Sequence, residues 1–150
     1  MAVTLYSVLR EQTAGSSGFE VNIEKMNEDG VAVGDSVVLK DTGGSALTGT
    51  LASTGTAVTG TTTAFDTELE VGQFIEAGGE LREVTDIADA TNLTVNAAFS
   101  PDLSGATATL ATDYGKFTVK ELRPFHNTLY IEESVKVQQD PAVHEVKPIA

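Results

Sequence analysis

Short alternations of apolar and polar residues, rather than helical periods, run through this 150-residue chain. The cleanest is Phe19-Glu20-Val21-Asn22-Ile23-Glu24-Lys25, where Phe19, Val21 and Ile23 share one face and Glu20, Asn22 and Glu24 the other. Successive side chains of a strand point to opposite sides, so this pattern predicts a half-buried strand. A second strand is predicted over Val33-Gly34-Asp35-Ser36-Val37-Val38-Leu39-Lys40, closed by a turn at Asp41-Thr42-Gly43-Gly44-Ser45. Residues 51–58, rich in Thr and poor in large apolar groups, read as a sparse edge strand. Val71-Gly72-Gln73-Phe74-Ile75 then turns on Ala77-Gly78-Gly79-Glu80 into Leu81-Arg82-Glu83-Val84, and Asp89-Ala90-Thr91-Asn92 leads into Leu93-Thr94-Val95. Further strands are expected at 106–110, 116–120 and 129–137. No window repeats apolar residues at i, i+3, i+4 and i+7, and only a turn around 64–69 has helical character. The expected fold is all-β: a small antiparallel β-barrel or sandwich with little helix and extended terminal arms.

Two details refine that outline. Glu70-Val71-Gly72-Gln73-Phe74-Ile75 repeats the logic of Ala32-Val33-Gly34-Asp35-Ser36-Val37, which predicts that the chain makes the same corner twice. From Gln138 onward, QQDPAVHEVKPIA carries two prolines and no long period, so it reads as an extended arm. The domain reading is therefore one β domain over 1–137, with a self-contained module at 58–100 inside it, followed by a C-terminal arm over 138–150. Residues 1–12 fit a strand or a short helix equally well, and 13–18 read as a small-residue loop.

Composition narrows the function classes. With 22 acidic against 9 basic residues the formal charge is −13, a field that repels phosphate backbones and anionic lipid head groups. Direct nucleic-acid binding and membrane attachment are not expected, whereas solubility or a partner with a basic face is. The absence of Cys removes disulfides, zinc thiolates and a Cys nucleophile. Apolar runs are too short to span a bilayer, and MAVTLYSVLREQ lacks the basic and apolar segments of a secretion signal. No Trp and 6% aromatics supply little for stacking sugars or bases.

Four catalytic constellations can be sought, and none assembles. His126 and His144 lack a third ligand at metal spacing. No Ser lies in Gly-x-Ser-x-Gly, and the loop at 13–18 is not followed by Gly-Lys-Ser/Thr. Asp86, Asp89 and Asn92 are spaced i, i+3, i+6, which suits an Asx turn better than a calcium loop. Lys116, Lys120 and Arg123 could form a basic stripe, but Glu121 lies among them, as on a solvated strand face. A non-enzymatic binding or structural role is expected, with no cofactor.

Within residues 58–100 stand Val58-Thr59-Gly60-Thr61, Thr63-Ala64-Phe65, Leu69-Glu70-Val71-Gly72-Gln73-Phe74-Ile75, Gly78-Gly79 and Leu93-Thr94-Val95. This order resembles a small Gly/Thr-rich β module of tailed-bacteriophage structural proteins, seen in capsid-associated, tail and fibre-related chains. Gln73 stands where the resemblance implies Asp. The resemblance implies a virion structural role and no active site. The leading expectation is a capsid decoration or cement protein, made in the host cytoplasm. It would bind the major capsid protein or other virion proteins on the capsid surface as a homo-oligomer, with a trimer favoured. A neck, tail, baseplate or fibre-attachment component is the alternative, and a carbohydrate- or cell-surface-binding module, using Tyr114 or Tyr130, belongs to another class. The expected partner contacts are Pro141, Val143, Val146, Pro148 and Ile149 on the C-terminal arm, with Leu5 and Leu9 on an N-terminal one.

Overall fold

The computed structural model describes residues 3–4, 16–20, 30–123, 128–135 and 144–150. Its fold is all-β and antiparallel, as the alternations predict. The strands are β1 (Val3–Thr4), β2 (Ser16–Glu20), β3 (Ser36–Ala46), β4 (Thr50–Thr54), β5 (Ala57–Thr61), β6 (Phe74–Ala77), β7 (Glu80–Asp89), β8 (Asn92–Val95), β9 (Ala108–Arg123), β10 (Thr128–Val135) and β11 (His144–Pro148). Among the described residues a helical turn, α1 (Phe65–Glu68), interrupts them. The chain divides into two compact units, Met1–Thr42 with Asp113–Pro148 and Gly43–Thr112 with Ile149–Ala150. Each unit has its own apolar cluster.

In the first unit, β11 lies between β1 and β3, while β9 pairs with β10, and β10 with β2. Val37 and Leu39 of β3 pack with Phe117 and Val119, Leu129 and Ile131, and Val146. These are alternate positions on their strands, so the pleat delivers them to one side. The opposite face of β3 and β11 is also covered: Val38, Lys40, Glu145 and Lys147 are all buried. Lys40 and Glu145 stand opposite each other in register, and Lys40 Nζ meets Glu145 Oε1 at 2.7 Å.

Of the expected arm over 138–150, residues 144–150 are described. They contain β11, which runs in register with β3 from His144↔Asp41 to Pro148↔Val37. Val146 and Ile149 are 1% and 3% exposed, and Pro148 is buried as well. Pro148 ends the strand, where a missing N–H costs the ladder little.

In the second unit the strands pair in the order β9-β6-β7-β8-β5-β4. The pairing then returns to its start. Leu51 of β4 exchanges main-chain bonds with Ala106 at 2.8 and 2.9 Å, Ser53 N donates to Leu103 O, and Leu47 N donates to Ala108 O. The outer edge of β4 is therefore covered by the segment that leads into β9. Residues 51–58 form two strands rather than one, because Leu51 and Val58 each anchor a strand into the core. Phe65, wholly buried, plugs that core from α1 beside Leu69, Ile75, Val84 and Leu93. Burying one such ring stabilises by roughly 1.5–3 kcal/mol.

The expected turn at 41–45 is absent, since β3 continues through it to Ala46. Gly44 is the reason. A Cβ there would lie 2.5 Å from Leu110 O, so the glycine permits close approach of the neighbouring strand instead of reversing the chain. Likewise 113–115 and 106–107 do not bound separate strands as expected, because β9 runs unbroken from Ala108 to Arg123.

Candidate functional site

The two Val-Gly corners are the same device, one in each unit. Gly34 and Gly72 have φ of 93° and 96°, a region that favours glycine. Asp35 N donates to Ala32 O, and Gln73 N to Glu70 O, closing each turn. In return, Ala32 N donates to Asp35 Oδ2 at 2.9 Å and Glu70 N to Gln73 Oε1 at 2.8 Å. The partner strands are bonded identically: Gly34 N donates to Val119 O and Val119 N to Asp35 O, while Gly72 N donates to Val84 O and Val84 N to Gln73 O. Gln73, which departs from the module's expected Asp, supplies the same acceptor. Each corner leaves its valine outside, Val33 at 64% and Val71 at 61% exposed.

A depression in the second unit gathers polar groups over an apolar floor. It lies between the β6–β7 turn and the segment leading towards β9, has a volume of about 220 Å³, and includes Ala77, Gly78, Glu80, Asp102 and 99–104 in its wall. Arg82 of β7 fixes that wall. Its Nε and Nη2 donate to Ala98 O, Nη1 to Leu81 O and Nη2 also to Glu80 Oε2 at 2.6 Å, with the guanidinium 5.3 Å from the centre of the Phe99 ring. Glu80 Oε2 further accepts Ser100 N–H at 3.1 Å, and Asp102 Oδ1 accepts Gly55 N–H at 3.2 Å. The arrangement can hold a cationic group.

Around it the unit is almost wholly anionic. Residues 43–112 contain nine acidic side chains and one basic one, Arg82, which is 5% exposed. Among the described residues no group of three or more His, Cys, Asp and Glu side chains stands ready for a metal. Asp89 forms the Asx turn its spacing suggested, accepting from Thr91 N, Thr91 Oγ1 and Asn92 Nδ2. The Thr91 N–H foremost, then the Asn92 and Thr91 side chains, hold its carboxyl below the ordinary value. In the first unit, Tyr114 Oη donates to Asp41 at 2.9 Å, and this bond holds the phenol above its ordinary value. Lys116 and Lys120 are exposed on β9 together with Glu121.

Of the expected partner contacts, Leu5, Leu9, Pro141 and Val143 lie outside the described residues, as does His126. Val146 and Pro148 pair within β11, and Ile149 is held by Asn96, whose Nδ2 donates to its carbonyl at 2.8 Å. All three are buried within the chain. Glu80 and Asp102 escaped sequence reasoning because Pro101 to Gly105 reads only as a break between strands. The available signal was Glu80-x-Arg82 on a strand followed by Phe99, which marks a cation fixed near a loop.

No protein-family model, no curated protein and no solved structure matches this chain.

Proposed function

We propose that the chain is a non-enzymatic structural protein of a tailed-phage particle, a decoration or cement protein that binds the outer face of the capsid and stabilises it. The observation that carries this reading is the make-up of residues 43–112. They form a β unit in which the outer edge of β4 is covered by the segment before β9, and its surface offers carboxylates while its one cation is buried. Along β4 the edge is already taken by the segment before β9, so on that side binding would go through side chains and loops rather than by strand addition. Its charge suits a partner with a basic face. The module resemblance at 58–100 supplies the kind of particle. A small subunit of this sort gains affinity from repeated contacts on a symmetric lattice, and a homotrimer would multiply them.

Mixing the purified chain with undecorated capsids tests the reading. Co-sedimentation with the shells is expected, weakening as salt screens the charges. No pelleting at either low or moderate salt would sink it. Negative-stain views of labelled virions distinguish a shell coat from the alternative, a neck, tail or baseplate part, which would label one vertex or the tail.

A further inference from the structure

The depression beside the β6–β7 turn has a definite chemical preference. We infer that it receives one basic side chain, arginine or lysine, projecting from a partner protein. Size is the first reason: about 220 Å³ suits a single long side chain and falls below the roughly 300–1,000 Å³ usual for small-molecule pockets. Polarity is the second. Phe99, Leu103 and Ala77 are 3%, 8% and 3% exposed and provide an apolar floor, while Glu80 and Asp102 stand on the wall. Glu80 uses Oε2 for Arg82 and Ser100, and Asp102 uses Oδ1 for Gly55. Their second oxygens have no further partner among the described residues. Lys and Arg combine an aliphatic stem with a cationic head, which matches floor and wall respectively.

The third reason is the lack of competition from within the unit. Arg82 is the one basic residue of 43–112, and its donors are taken by Ala98, Leu81 and Glu80. It shapes the wall but cannot fill the depression, so a cation must come from elsewhere. This inference deepens the virion reading by naming the chemistry of the contact, and rests on it only for where the partner is found.

The test uses the full chain, labelled with ¹⁵N and titrated with capped arginine amide, then with capped citrulline as the neutral isostere. Arginine should produce saturable amide shifts at Gly78, Ser100, Leu103 and Ser104, with a Kd on the order of millimolar, the range expected for one side chain. Citrulline should bind at least about threefold more weakly, because only the charge-assisted bonds are lost. Asp102→Asn keeps an acceptor for Gly55 N–H, so its spectrum should remain folded while arginine affinity falls by a similar factor. No saturation by about 100 mM, an equal response to citrulline, or unchanged affinity in Asp102→Asn would overturn the inference. A chain that pellets with shells yet ignores arginine sinks this inference alone. One that binds arginine here but not shells sinks the virion reading alone.

Discussion

Both units enter a strand through a Val-Gly corner with the same four hydrogen-bond relations, yet they bury charge in different ways. The first unit sets Lys40 against Glu145, side chains brought together across β3 and β11, with Lys147 buried nearby. The second folds Arg82 back onto carbonyls of its own neighbourhood, Leu81 and Ala98, and onto Glu80 two residues away. The corners agree because their geometry is local: a glycine at positive φ and an acceptor side chain three residues after its N–H donor are enough. The buried charges differ because their partners are set by which strands become neighbours. A buried ion pair of the first kind depends on one distant residue. A guanidinium with several carbonyl acceptors is satisfied mostly by main chain.

Removing the cations gives the largest expected effect. Lys40→Met leaves Glu145 as an unpaired buried charge and should cost about 3–5 kcal/mol in chemical denaturation. Adding Glu145→Leu should recover most of that loss, since neither half of the pair then remains as a lone buried charge. Arg82→Met should be damaging as well, but no single second substitution should rescue it, because its partners are mainly carbonyls. Equal rescue in the two units would erase the proposed contrast.

The corners should respond alike. A Cβ at Gly34 or Gly72 meets nothing within 4 Å, so Gly34→Ala and Gly72→Ala should each cost only backbone strain, about 1–3 kcal/mol. Unfolding free energies from urea titrations differing by more than about 1 kcal/mol between the two variants would show the corners to be unequal. Smaller still, Asp35→Ala and Gln73→Ala should each lose about 0.5–1.5 kcal/mol, the worth of one hydrogen bond, while Gln73→Asp should keep most of it.

The smallest effects separate the units by pH. Asp89, in the second unit, has a depressed pKa, so its contribution is present above the ordinary value of 3.8 and fades as pH falls through the lower folded value. Tyr114, in the first, has a raised pKa, so its contribution is present below 10.0 and fades as pH rises through the higher folded value. Thermal melts should therefore show Asp89→Ala converging on the parent chain in acid and Tyr114→Phe converging on it in alkali. Convergence at the opposite ends would reverse both assignments.

The predicted hairpin at Gly78-Gly79, the Asx turn at Asp89 and the doubled corner were legible because each depends on residues within a few positions of one another. The depression was not legible: Glu80 and Asp102 face it only after β6, β7 and the 99–104 segment have packed.

What the sequence by itself determined is the all-β class, which face each clear alternation turns inward, and the turns that short-range hydrogen bonds dictate. Tertiary structure alone decided three things. Gly44 lies in a strand because the backbone of Leu110 passes close to it. The terminal residues Val146 and Ile149 are interior because β3 and Asn96 offer them partners far away in the chain. The apolar residues sort into one cluster in each unit because residues distant in the chain meet across its paired strands. A local pattern states which side of a strand is apolar. Only the assembled neighbours state what covers it.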